Sequence, residues 1–224
     1  MKKSNKSYGY LASDVQSAVA ESYKTIRTNL QFLFTRKEGC KVITISSPQA
    51  SDGKTTNSVN LAISFSQLGK KVLLIDADLR RPSVYRKLKI ENNDGLSGVL
   101  AGFCSPEKTI VSINPHFSVL TSGAVPPNPS ELLASKDFES LIEKLKASYD
   151  YIIIDTAPIG IVSDALSVAR NSDGVLLVIK EKVTTYQAFE GVVDSLKLAD
   201  IPLLGVVLNG ITSNNRYHYY KNRY

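Results

Sequence analysis

The sequence predicts an α/β fold in which helices cover both faces of a mostly parallel sheet. Three observations carry this expectation. After Gly39, short apolar runs alternate with helical patterns, KVITIS, then TTNSVNLAISFSQLG, then KKVLLIDAD, each bounded by turn residues, which is the order of a βαβ unit. The runs YIIID and GVLLVI are apolar without a break, as strands are when both of their faces are buried. Of the 224 residues, 43% are hydrophobic and 21% charged, enough apolar material for one substantial core.

In chain order, Val19, Tyr23, Ile26, Leu30 and Leu33 recur at steps of four and three, which makes one apolar stripe of a helix beginning after Ser13. Beyond the βαβ unit, strands are expected at Phe117 to Thr121, Tyr151 to Asp155, Val175 to Ile179 and Leu203 to Leu208, with helices near 136–148, 163–170 and 185–199. Residues 13–212 form the expected domain, between a flexible polar segment at 1–12 and a tyrosine-rich tail at 213–224. There is no internal repeat, and PPNPS at 126–130 is the one other segment of unusual composition.

The formal net charge is +6, with Lys2, Lys3 and Lys6 at one end and Arg216, Lys221 and Arg223 at the other. No long basic run is present, so nucleic acid is not an expected partner; the ends suit anionic lipid, an acidic protein surface or simple solubility. Cys40 and Cys104 are isolated and the chain has two histidines, which suggests neither a disulfide framework nor a zinc site. The chain lacks an unbroken run of about 18 apolar residues, and its Lys-rich start has no apolar signal region after it. A cytoplasmic location is expected.

Between the first strand and the first core helix lies SSPQASDGKTT, where Gly53, Lys54 and Thr55 end a Walker A motif. Backbone N–H groups at a helix N-terminus cradle phosphate oxygens, a lysine supplies a point charge to the β- and γ-phosphates, and a threonine hydroxyl serves Mg²⁺. Ser51, Asp52, Gly53, Lys54, Thr55 and Thr56 are therefore the expected nucleotide contacts. The usual first glycine of the motif is Pro48 here. A Gly-Lys-Thr that merely ends a turn is the plain alternative, and the position after a strand and before an amphipathic helix argues against it.

The second strand, VLLIDADLRRP, delivers Asp76 and Asp78 at its C-terminal end, and YIIIDTAP delivers Asp155. Open α/β sheets bind ligands at such strand ends, and an apolar strand ending in one carboxylate beside a P-loop reads as Walker B. A single aspartate there is usually a cap or turn residue; three around one phosphate site supply a metal shell and a proton acceptor. Arg80 and Arg81 would neutralise phosphate charge, contact a neighbouring subunit, or remain solvated surface charge.

Together, the P-loop, DADLRRP and IIIDTAP resemble the deviant-Walker ATPase class, and within it the bacterial tyrosine kinases, in particular the cytoplasmic kinase subunits of Gram-positive capsule and exopolysaccharide systems. DADLRRP is similar to the family's second Walker motif, GAVPPNPSELL at 123–133 to a family signature, and ESYKTIRTNLQF at 21–32 to its N-terminal helix; the tail is tyrosine-rich. The resemblance spans nearly the whole chain and implies the P-loop NTPase fold, with ATP and Mg²⁺ as cofactors. Two departures stand out: Ser51 where the family usually has glycine, and Lys24 in an ExxRxxR pattern that reads Glu21, Lys24, Arg27. That pattern implies a homo-oligomeric ring. Relatives that position chromosomes, plasmids or division sites carry a signature lysine where this chain has Gln49.

The tail places Tyr217, Tyr219, Tyr220 and Tyr224 among polar neighbours. Fully extended, the roughly 14 residues after Gly210 span about 45 Å, enough to reach another subunit's site. Phenol, with a reference pKa of about 10, needs a positioned base and a metal-polarised phosphate. Asp76 is the candidate base, Lys54 the phosphate cation, Thr55 a Mg²⁺ ligand, and Asp78 and Asp155 the metal shell; the roles of Asp76 and Asp78 are interchangeable at this level. The resemblance further implies phosphorylation of protein tyrosines, of the tail in trans included, a ring released by that modification, an activating membrane adaptor of the polysaccharide co-polymerase type at the inner face of the plasma membrane, and control of polysaccharide chain length. Asn209, closing GVVLNG, is an adenine contact by resemblance or a turn residue. The rival is an ATPase switch of the positioning kind that phosphorylates nothing.

Overall fold

A computed structural model describes residues 18–211. The expected N-terminal segment and the tail with its four tyrosines lie outside the described residues. The elements in order are α1 (Ala18–Leu33), β1 (Lys41–Ser46), α2 (Lys54–Ser66), β2 (Val72–Asp76), α3 (Val84–Leu88), α4 (Leu96–Leu100), α5 (Pro106–Thr109), β3 (Val111–Asn114), β4 (Phe117–Leu120), α6 (Pro129–Leu133), α7 (Lys136–Lys146), β5 (Tyr151–Asp155), α8 (Asp164–Ala169), β6 (Val175–Lys180), α9 (Tyr186–Leu198) and β7 (Leu203–Asn209). None of these helices is long and apolar enough to cross a membrane.

The seven strands form one sheet in the order β3-β4-β2-β5-β1-β6-β7. Every neighbouring pair is parallel except β3 with β4. Side chains alternate across a strand, so each buried strand feeds two cores. Ile43, Ile45, Leu74 and Ile153 pack on the side of α1 and α2, while Val42, Leu73, Ile75, Ile152 and Ile154 pack with Phe138, Leu141 and Leu145 of α7. A third cluster joins Val175 and Leu177 to Val192 and Leu196 of α9. This two-sided burial is why the strands read as unbroken apolar runs.

Two expectations change. The stripe of α1 turns onto Phe34, which is 8% exposed, and leaves Leu33 58% exposed, because the helical period from Tyr23 through Leu30 lands on a step of four rather than three. The antiparallel edge strand β3 is additional; its residues are mostly exposed, so it carries no apolar run to read. The short helices α3 to α6 are likewise too brief for periodicity to register.

Because β2, β5 and β1 are adjacent, their C-terminal ends bring the P-loop, Asp76 and Asp155 to one edge of the sheet. Asp76 stands directly opposite Asp155 in the β2/β5 register.

Candidate active site

The loop after β1 turns through two left-handed residues, Ser51 at φ 66° and Gly53 at φ 100°. Gly53 has a second reason to be glycine: a Cβ there would lie 2.1 Å from the Asn209 amide nitrogen. Asn209 ends β7 rather than a turn, and its Nδ2 donates to the Asp52 carbonyl at 2.8 Å, so it braces the P-loop from the far side of the sheet. The Asp52 carboxylate is also turned into the loop, where its Oδ2 accepts from Gln49 N at 3.0 Å. Ser51, by contrast, keeps its side chain exposed while tolerating a backbone that favours glycine.

A cavity of about 380 Å³ opens at this edge, lined by Ser51, Gly53, Lys54, Thr55 and Thr56 from the loop, by Asp78, Arg81, Ser83 and Lys87 from the segment after β2, and by Ala50 and Pro158. Asp52 and Asn209, both expected as direct contacts, do not line it. Lys54 Nζ donates to Asp78 Oδ2 at 2.9 Å. Thr55 Oγ1 donates to Asp155 Oδ2 at 2.7 Å and accepts from Ser83 Oγ at 2.8 Å. Ser58, one turn further along α2, donates to Asp155 Oδ1 at 2.8 Å. Asp155 is therefore fully enclosed behind Thr55, and Asp78 faces the opening.

Asp76 is fully buried and orders the loop that follows it. Its Oδ2 accepts from Ser83 N at 3.1 Å and Val84 N at 3.0 Å, and its Oδ1 from Asp78 N at 3.3 Å. Burial first, and then the charge of Asp155, pushes its pKa up to about 7 against those backbone donors. Burial likewise raises Asp155, opposed by Lys54 and by the hydroxyls of Thr55 and Ser58. For Lys54, burial pulls downward and the charges of Asp155 and Asp78 more than offset it, so the ammonium is retained. Three carboxylates thus share one buried lysine.

The two arginines after Asp78 divide. Arg80 turns away from the cavity: its Nε donates to Asp164 Oδ2 at 2.6 Å and its NH2 to Ser130 Oγ at 2.9 Å, while Ser130 Oγ donates to Asp164 Oδ1 at 2.7 Å. This triad ties the DLRR loop to the start of α6, within the GAVPPNPSELL segment, and to the first turn of α8. Arg81 stays on the cavity. Asp164, Ser130, Ser58 and Ser83 carry no local sequence signal, since each acts through a partner distant in the chain.

The helix α1 triplet also divides. Lys24 Nζ donates to Glu21 Oε1 at 2.6 Å on the exposed face. Arg27 reaches inward, its NH1 donating to Ser64 O at 2.6 Å and to Ser64 Oγ at 3.1 Å, where it satisfies a carbonyl in the last turn of α2.

A left-handed glycine turn opening α2, a lysine at the first helical position and acidic ends on two neighbouring parallel strands define a P-loop NTPase, and an AAA domain is matched over residues 40–201. The similarity narrows further with individual proteins. The chain is 40% identical over 211 residues to the tyrosine-protein kinase YwqD of Bacillus subtilis (strain 168), covering 93% of this chain and 89% of that one. It superposes on the kinase domain of the Escherichia coli tyrosine kinase ETK with a TM-score of 0.88 at 34% identity, over 93% of this chain and 83% of the other. It therefore belongs to the bacterial tyrosine-protein kinases. The septum site-determining protein MinD of Pyrococcus horikoshii OT3, solved with Mg-ADP, is a more distant neighbour, with a TM-score of 0.66 at 28% identity over 78% of this chain and 72% of that one.

Proposed function

We propose that the cavity holds ATP with Mg²⁺ and that the chain transfers the γ-phosphoryl group to protein tyrosines, those of its own tail in trans included. The carrying observation is that Lys54, Thr55 and Asp78 line one opening, with Asp155 directly behind Thr55. The donor set fits the cofactors. The positive φ of Gly53 turns the loop as a phosphate cradle requires, and Lys54, held by Asp78, is the charge that would engage β- and γ-phosphates. Among the residues that line the cavity Asp78 is the one carboxylate, which suits Mg²⁺, an ion that takes one or two carboxylates and completes its shell with phosphates and water. Thr55 and Asp78 would contact it, with Asp155 acting through Thr55 or water. When bound, Mg²⁺ draws charge from the phosphoryl group during transfer.

In the transfer, the bond from the γ-phosphorus to the β,γ-bridging oxygen breaks, the phenolic oxygen bonds to phosphorus, and the phenol proton passes to a carboxylate. Asp76 has the proton affinity for that role and Asp78 has the access. We assign it to Asp76, whose Oδ1 has a single long backbone contact at 3.3 Å; because Asp76 is buried and does not line the cavity, the proton would reach it through one water or through Asp78. Asn209 and Asp52 shape the loop that receives the nucleotide rather than lining its cavity.

The tail is basic through Arg216, Lys221 and Arg223, and each phosphate adds about −1.5 to −2 charges, so repeated modification reverses its sign. We read this as the release signal of a homo-oligomeric ring, with the exposed Glu21 and Lys24 of α1 at the subunit contact and Arg27 holding α1 to α2. The working setting is the cytoplasmic face of the plasma membrane, beside an adaptor of the polysaccharide co-polymerase type, in the control of capsule or exopolysaccharide synthesis. The test is mass spectrometry of the full chain after MgATP, alone and with an adaptor's cytoplasmic segment. Phosphate on Tyr217, Tyr219, Tyr220 or Tyr224 is expected; an unmodified tail beside steady ADP release would place the chain with the positioning ATPases.

A further inference from the structure

The segment from residue 80 to residue 87 carries four cations, and the structure uses two of them. Arg80 is held by Asp164 and Ser130. Arg86 donates to Pro82 O at 2.8 Å and lies over the Tyr85 ring at 5.5 Å. Arg81 and Lys87 have no side-chain hydrogen bond or ion pair among the described residues, and both line the active-site cavity. We propose that Arg81 and Lys87 form a subsite for an anionic group, carboxylate or phosphate, flanking the tyrosine that enters this cavity, and so select which tyrosines are modified. The inference rests on the kinase reading and adds the acceptor's chemistry to it.

Charge and position support the assignment. The ionised side chains of the lining are Lys54, Arg81 and Lys87 against Asp78, three positive and one negative, for a surplus of two positive charges. Lys54 and Asp78 are buried and paired, at 9% and 3% exposure, which suits a nucleotide held in one geometry. Arg81 and Lys87 are exposed, which suits a polypeptide arriving from solvent. The backbone N–H of Arg81 donates to Asp78 Oδ1 at 3.0 Å, so its side chain leaves from beside the carboxylate that faces Lys54. Ser83 touches Thr55, and Lys87 lies one helical turn beyond Ser83, about 5–6 Å farther along α3. The two cations therefore border the phosphate site at its solvent-exposed rim.

The subsite has a consequence for the chain's own tail. Residues 213–224 contain Arg216, Lys221 and Arg223 and no acidic residue, so the unmodified tail is a poor match for two free cations. The first phosphotyrosine supplies a local charge of about −1.5 to −2, which gives the two cations an anionic group to hold beside the next tyrosine while the tail as a whole stays basic. Tail modification then accelerates after its first event.

The experiment uses the full chain with MgATP and three single-acceptor peptides, in which the tyrosine is flanked by glutamates, by lysines, or by a phosphotyrosine two residues away. The expected kcat/KM for the glutamate and phosphotyrosine peptides exceeds that for the lysine peptide about tenfold, with the difference shrinking between about 0.05 and about 0.5 M salt. Preference for glutamate points to acidic protein substrates, and preference for phosphotyrosine to sequential modification of the tail. Arg81→Glu with Lys87→Glu inverts the order of the peptides while the KM for MgATP stays in place. Equal kcat/KM for all three peptides overturns the subsite, as does a double variant whose KM for MgATP rises alike with every peptide, since the cations then serve the nucleotide. No phosphotyrosine on any peptide or on the tail would instead sink the kinase reading, and the subsite with it.

Discussion

Lys54→Met separates what the buried lysine does for the fold from what it does for phosphoryl transfer. Lys54 and Asp78 are 9% and 3% exposed and 2.9 Å apart. Removing the ammonium leaves Asp78 without its partner and withdraws the charge that opposes the raised pKa of Asp155. Deleting one member of a buried pair costs about 3–5 kcal/mol, and in a domain of this size each kcal/mol lowers Tm by about 2–4 °C, so a fall of about 6–20 °C is expected. The loss depends on pH. The folded-state pKa of Asp155 lies above its unfolded value, and without Lys54 it rises further. Stability from such a group is fully present below the unfolded value of about 4 and is lost as pH rises through the folded one. The deficit of Lys54→Met is therefore smaller at pH 5 than at pH 8. Adding Asp78→Asn removes the orphaned charge and restores much of the Tm at pH 8, while phosphotyrosine stays absent. Thermal unfolding of parent, both single variants and the double variant at the two pH values, with phosphotyrosine by mass spectrometry, is the assay. A Tm for Lys54→Met within about 2 °C of the parent at pH 8, or a double variant no more stable than Lys54→Met, would refute the reasoning.

Kinase activity of the parent is expected to rise as pH passes through about 7, where Asp76, raised by burial and the Asp155 charge, gives up its proton. Asp76→Asn should lose most activity and flatten that limb; if Asp78→Asn flattens it while Asp76→Asn keeps it, the two roles exchange. Ser51→Gly relieves a left-handed non-glycine backbone at φ 66°, worth about 1–2 kcal/mol, against about 0.4–1 kcal/mol of added unfolded-state freedom. A net gain of about 0.5 kcal/mol by denaturant unfolding is expected, and a clear loss of stability contradicts the strain argument.

The six parallel strands were legible as apolar runs, most plainly the central ones that are buried on both faces, whereas the exposed edge strand β3 and the short helices α3 to α6 were not. Tyr151–Asp155 falls where YIIID predicts it, and the helix over 185–199 is α9, Tyr186–Leu198. The loop and the three aspartates were legible because each is a local pattern at a strand end. What the side chains of those residues touch was not. Lys54 meets a residue 24 positions away, Thr55 one 100 away, and Asn209 the loop 157 positions before it. Such partners are chosen by the order of strands in the sheet, which periodicity does not encode. The same holds for Arg80, which reads as phosphate ligand, subunit contact or surface charge until α8 brings Asp164 beside it, and for Arg27, whose bond to a carbonyl of α2 no local pattern announces. The chain by itself determines that a phosphate loop and acidic strand ends exist and roughly where. Only the packed sheet decides which carboxylate faces the opening, which is sealed behind it, and which cations remain free at its rim.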